Sequence, residues 1–352
     1  MKKLKSILGI ALALLMIVSF VACGSNNDTS TPAAPENGAA TPPATEPAAP
    51  AAEQFTLRVG TVLPEGDPVY LGLTAFAENV AARTDGAVDV QVFPNAQLGG
   101  DEDVIEQARV GANVGIITDP GRISAYVPDF GIFGAPYLVD SFDEMLQLLD
   151  TAAFGELAAE IEAHDLQILS FNFFQGTRHL FTRNPVSTPD DLNGQRVRSS
   201  GSPVVTRTVE TMGANAVVLP WAESYQALQQ NVIEGVEVHF SAAIGASIPE
   251  VTDYLSLTGH FYLLTGLVIS RDWFDSLPAE FQTILLEEAF NAGIVASQAV
   301  LDLEAAHLET LLAQGLTLVD VDVDAFRAAT DVVFDELGFR ELKDAIDSEL
   351  GR

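Results

Sequence analysis

The sequence predicts an α/β protein of two lobes around a central cleft, and three observations carry that expectation. Short apolar strands alternate with helical stretches along most of the chain, turn residues punctuate them, and one apolar helix near the C-terminus is long enough to span two lobes. The chain has 352 residues, 48% of them hydrophobic, enough for two ordinary domains with real cores.

The first 53 residues stand apart. Lys2, Lys3 and Lys5 precede an apolar run from Ile7 to Val21, the pattern of a secretory signal. That run falls short of the roughly 20 residues a membrane-spanning helix needs. Residues 23–53 are rich in Ala, Pro, Thr, Asn and Glu without apolar periodicity, so they read as a flexible tether with a reach of about 30 Å.

Strand and helix signals begin at Phe55. Phe55, Leu57 and Val59 alternate with Thr56 and Arg58, Pro68 suits a first helical turn, and Leu73, Phe76, Ala77 and Val80 recur at helical spacing. Val88–Phe93 is a second strand, Asp101 a candidate cap for a helix through Ala108, and Val114–Thr118 a third strand. This βαβαβ opening predicts a largely parallel sheet. Further strands are expected at Leu166–Phe171, His179–Thr182, Val197–Ser199, Val217–Leu219, Val236–His239, Leu267–Ser270 and Leu316–Val319. Helices are expected near 204–212 and 222–230, from Pro278 to about Leu312, and over 325–346. Ligands bind beyond the carboxyl ends of strands in such sheets, and two sheets facing each other would form a cleft that a hinge can close.

The formal charge is -32; the first 22 residues hold three Lys and no acid, which leaves 14 basic against 49 acidic residues, a net of -35. A surface that acidic repels phosphate backbones, so no nucleic-acid partner is expected. It does not argue against an anionic ligand, because a few arginines in a closed pocket dominate locally. Cys23 is the single cysteine, which excludes an intramolecular disulfide and any cysteine-based metal cluster. Asp320–Asp324 briefly mimics the start of a calcium loop, but Ala325 stands where Gly is required, and Asp322 or Asp324 reads better as a helix cap. The five histidines form no HExxH pair, and no GxSxG, P-loop or GxGxxG pattern occurs, so no catalytic residue, metal or cofactor is expected.

Two arginines flank short central strands, Arg178 and Arg198. A guanidinium presents a planar fork that matches a carboxylate with two parallel hydrogen bonds. By spacing alone each is equally a ligand contact or a member of a structural ion pair. Arg196 and Arg198 point to opposite faces of a strand, so at most one faces a given cleft. Trp221, Phe171, Phe173, Phe240, Phe261 and Tyr262 are candidate walls or plain core. Glu237 and His239, placed on one side of a strand end, suit a ligand hydroxyl, an amine or a cation, or a structural role.

Several stretches together resemble the substrate-binding proteins of tripartite ATP-independent periplasmic (TRAP) transporters, over residues 55–340. They are Val92-Phe93-Pro94-Asn95-Ala96-Gln97-Leu98-Gly99-Gly100-Asp101, Phe133-Gly134-Ala135-Pro136-Tyr137-Leu138, Gly176-Thr177-Arg178, Asp191 through Arg198, Tyr225 through Gln230, and Gly235 with Glu237. Phe20-Val21-Ala22-Cys23-Gly24-Ser25 resembles a bacterial lipobox, with Phe20 in place of the usual Leu. The resemblances imply a periplasmic-binding-protein-like fold with discontinuous lobes, a long helix spanning both, and Cys23 as the site of lipidation after removal of residues 1–22. Lobe I is then 54–175 with 264–303, and lobe II 176–263 with 304–352. They imply that Arg198 holds the carboxylate of a small organic acid, that Arg178 is a secondary contact, and that Asp119, Trp221, Glu237, His239 and Phe240 lie near the pocket. Val238 departs from the polar or aromatic residue the family often carries there. The implied partners are a small and a large membrane transporter subunit, with an extracytoplasmic location on a lipid anchor. Delivery to a membrane sensor kinase, or a secreted enzyme on the same scaffold, are the rival readings.

Overall fold

The computed structural model describes residues 54–352. The expected leader, the Cys23 lipidation site and the tether lie outside the described residues.

Nine strands form one hydrogen-bonded sheet: β1 Phe55–Gly60, β2 Val88–Phe93, β3 Val114–Thr118, β4 Leu166–Thr182, β5 Arg196–Ser199, β6 Asn215–Val218, β7 Gly235–Val238, β8 Tyr254–Ser270 and β9 Thr317–Val319. The order is β2-β1-β3-β8-β4-β7-β5-β6, with β9 beside β8. The sheet is therefore mixed. The βαβ pairs β1/β2, β1/β3, β5/β6 and β5/β7 are parallel, as alternation predicts, whereas β3/β8, β4/β8 and β4/β7 are antiparallel. Two separate sheets facing each other were the expectation. The ladder is continuous because β4 and β8, 17 residues each, run through both halves.

Those two strands also correct the local reading. Leu166–Phe171 and His179–Thr182 belong to one strand, interrupted only by register shifts, among them one between Phe174 and Thr177. Gly176 there takes φ +123°, which an L side chain rarely adopts, and an added Cβ would lie 3.0 Å from the His239 Cβ. The C-terminal helical stretch is three helices, Val323–Thr330, Val332–Glu336 and Arg340–Leu350, with Gly338 at φ +76° before the last. Asp322 caps the first of them, its carboxylate accepting from the Ala325 amide at 3.0 Å.

The helix Ala279–Ala313 runs for 35 residues and packs against β4 and the helix Pro68–Arg83. Glycine costs about 1 kcal/mol in a helix interior relative to Ala, yet Gly293 is needed: a Cβ would meet the Asn172 Cγ at 2.5 Å. Asn172 donates to the Phe290 carbonyl (2.8 Å), and Ser297 accepts from the Phe174 amide (2.8 Å) and donates to the Asn172 carbonyl (2.9 Å). These bonds fix the helix at the middle of β4. Apolar clusters fill both sides, one around Leu57, Leu73, Phe76 and Leu285, the other around Phe130, Phe133, Phe171 and Phe174.

Candidate functional site

The parallel strands of both halves end facing the same cleft. From one half come Thr61–Leu63 after β1 and Thr118–Asp119 at the end of β3. From the other come Arg198–Ser200 at the end of β5, Leu219–Trp221 after β6 and Val238–His239 at the end of β7. This is the location expected of ligand sites in open α/β sheets. The outer cleft holds about 770 Å³, with Pro64, Glu102, Gly201, Pro220 and Trp221 on its walls. An inner chamber of about 60 Å³ shares Asp101, Arg122 and Trp221 with it and adds Gln175, Arg178, Arg198 and His239.

Arg198 is 3% exposed. Its Nε donates to the Leu219 carbonyl at 3.0 Å, its guanidinium lies 5.6 Å from the Trp221 ring centre, and one of its terminal nitrogens is buried without a hydrogen-bond partner. Burial works against its charge, Glu237 supports it, and Arg178 and Arg122 oppose it; the balance pulls its pKa down to about 10, still cationic at neutral pH. A desolvated cation with unused donors is a poor structural element and a strong donor to an external carboxylate.

Arg178 is at the chamber wall but its fork is occupied. It forms a two-pronged ion pair with Glu237, one prong at 2.6 Å, and also donates to the Glu237 carbonyl at 2.7 Å. Glu237 is fully buried behind Arg178 and does not line the chamber. Burial raises its pKa, but Arg178 and His260 outweigh that and hold it below the usual carboxylate range; His260 Nε2 is 3.6 Å away.

His239 faces the chamber while Glu237 does not, because His239 has left the strand and precedes the helix Phe240–Gly245. It is 3% exposed, neither ring nitrogen has a partner, and burial, reinforced by Arg178, pulls its pKa to about 3. Phe240 turns away from the chamber and packs on His179, ring centres 5.0 Å apart. Trp221 lines both compartments.

Asp119 lines the chamber and caps a short helical turn, accepting from the Arg122 amide at 3.1 Å. It also pairs with the Arg122 side chain, which meets Glu102 at 2.9 Å and Asp101 at 3.4 Å. Asp101 is therefore no helix cap: Gly100 takes that position and the carboxylate turns into the cleft. Burial raises the Asp101 pKa despite Arg122. For Arg122 burial lowers the pKa, but Asp101, Asp119 and Glu102 more than restore it. The sequence reading named Asp119 but missed Arg122, Glu102 and the role of Asp101, along with Gln175, Thr118 and Ser200. Arg122 follows Asp119 by three residues, and scarce basic residues near strand ends were the signal that exposed Arg178 and Arg198; applied to the end of β3 it would have found Arg122 too. Among the described residues no cluster of three or more His, Cys, Asp or Glu is placed to hold a metal.

Comparison with known proteins assigns the class. Residues 59–341 match the family described as bacterial extracellular solute-binding protein, family 7, and the chain belongs to that family. A solute-binding protein of Chromohalobacter salexigens is 29% identical over 287 residues, covering 81% of this chain and 85% of the relative. The C4-dicarboxylate-binding periplasmic protein of Rhodobacter capsulatus is 28% identical, covering 66% of this chain and 70% of the relative. A TRAP periplasmic solute-binding protein from Ochrobacterium anthropi, solved with L-fuconate bound, superposes with a TM-score of 0.82 at 29% identity, covering 84% of this chain and 99% of that one. The long helix, the mixed sheet and the cleft are thus those of a two-lobed binding-protein fold.

Proposed function

We propose that this chain is an extracytoplasmic receptor that captures a small organic acid through Arg198 and delivers it to the membrane subunits of a TRAP-type transporter. One observation carries the reading: the Arg198 guanidinium is buried at the strand ends with unused donors and no carboxylate partner among the described residues. An incoming carboxylate supplies the missing pair, the two groups strengthen each other as water leaves, and closure of the lobes completes the site. The lobes are 54–175 with 264–303 and 176–263 with 304–352, hinged where β4 and β8 cross between them; the register shifts of β4 support that position. Trp221 stacks on the guanidinium, Asp119 and His239 face the ligand, and Arg178 holds Glu237 and lends its positive field. Glu237 and Phe240 act from behind the wall. The protein returns its ligand unchanged. Cys23 carries the lipid that keeps the receptor at the membrane, with residues 23–53 as the tether.

Removing the guanidinium should cost about 2–5 kcal/mol of binding. Calorimetry on Arg198→Ala is expected to show at least about thirtyfold weaker binding of the tightest carboxylate found; an unchanged dissociation constant refutes the site. Arg198→Lys should also bind poorly, since a point charge cannot reproduce the fork.

A further inference from the structure

We propose that the chamber, together with the cleft it opens into, selects a singly charged, hydroxylated carboxylate and rejects dicarboxylates. The inference rests on the reading of Arg198 as the carboxylate site and follows from which charges around it are already matched. Three arginines line the inner chamber, at 122, 178 and 198. Arg178 is consumed by Glu237, and Arg122 by Asp119, Glu102 and Asp101. Arg198 is the one cation lining the chamber, among the described residues, without a carboxylate partner. A second ligand carboxylate would have to displace Glu237 or Asp119 from its arginine, or lie beside the acids that already hold Arg122.

What remains on the walls suits hydroxyls. Both nitrogens of His239 and the hydroxyl of Thr118 are buried, line the chamber and have no hydrogen-bond partner. Thr118 is 2% exposed and His239 3%. Each can donate and accept, as a hydroxyl can, and an alkyl chain would leave them unsatisfied. His239 does not supply the missing second cation, because burial holds its ring neutral. Val238 is apolar, which leaves His239 as the polar group at the end of β7.

The test is calorimetry of the protein against two sets of probes: five- and six-carbon aldonates and uronates, including D-glucuronate and L-galactonate, and four- to six-carbon dicarboxylates, including succinate and L-malate. The tightest ligand is expected in the first set, bound at least about 100-fold more tightly than any dicarboxylate. A dicarboxylate as the tightest ligand, or no binding to either set, overturns the inference. Arg198→Ala separates the two readings: if a dicarboxylate binds tightly and this variant abolishes it, the selectivity argument fails while the capture site stands. If the tightest ligand binds Arg198→Ala unchanged, both fail.

Two variants probe the cause. Asp101→Asn releases Arg122 in part and should improve succinate at least about tenfold relative to D-glucuronate. Glu102→Gln, on an exposed carboxylate at the cleft mouth, should shift the ratio in the same direction with no effect on folding. If both leave the ratio unchanged in folded protein, matching of Arg122 is not what excludes dianions, and the inference falls.

Discussion

Replacing Glu237 by Gln tests whether Arg178 is held by its partner or stands free for a ligand. The substitution keeps the shape and removes the charge opposite a guanidinium whose side chain is 11% exposed, at a carboxylate that is fully buried. Breaking a buried pair by removing one partner typically costs about 3–5 kcal/mol, because the surviving charge stays desolvated. For a chain of this size that corresponds to a melting temperature lower by about 5–8 °C. Replacing both partners, as in Arg178→Met with Glu237→Met, removes the orphaned charge and should recover stability to within about 1 kcal/mol of the parent. Urea unfolding at pH 7, followed by circular dichroism, measures all three variants. A Glu237→Gln loss under about 1 kcal/mol, or a double variant no more stable than the single one, would refute the buried-pair account and return Arg178 to the ligand. The same pair has a pH signature. The Glu237 pKa lies below its usual value of 4.5 in the folded state, so its stabilisation is present above that pH and disappears as pH falls through the lower folded value.

Histidine burial sets a second, separate window. Burial pulls His179 and His239 to about 3 from 6.5, so the unfolded chain binds more protons between those values, and stability should fall from pH 6.5 to 5 by up to about 1.4 kcal/mol per unit for each ring. Equal urea midpoints at pH 7 and 5 would contradict this. Gly293→Ala forces a methyl against Asn172 where the long helix crosses β4 and should destabilise by about 1–3 kcal/mol, read as a lower melting temperature. Of the two tryptophans, Trp221 stacks on Arg198 while Trp273 is buried in the core. A ligand-dependent change in intrinsic fluorescence should therefore vanish in Trp221→Phe, and its persistence would place the ligand elsewhere.

Local signals were legible because they depend only on residues near in sequence. Alternation marked β1, a short apolar run marked β3, Pro278 and an apolar run marked the long helix, and Asp322 behaves as the cap its position suggested. Arg178 and Arg198 stood out as scarce cations at the ends of apolar strands, but spacing did not say which of them has a carboxylate partner. The reading failed where partners are remote. β4 looked like two short strands, and of β8 only Leu267–Ser270 was read as strand, because the bulges in their ladder break the period of two that marks a strand. Asp101 looked like a cap because its helix begins there, yet its partner, Arg122, follows β3. Glu237 and His239, two residues apart, looked equivalent until the chain turned from strand to helix between them.

Composition and periodicity thus determined an acidic α/β chain with strand-end arginines and no motif for catalysis, and the family resemblance supplied the class. Which arginine is free was decided only by folding. Arg122, Arg178 and Arg198 carry the same charge, and what distinguishes them is whether a carboxylate lies within about 4 Å, close enough to form an ion pair. Only the tertiary arrangement sets that distance: Glu237 reaches Arg178 across a strand pair, Asp101 reaches Arg122 from another loop, and no acid reaches a bond with Arg198.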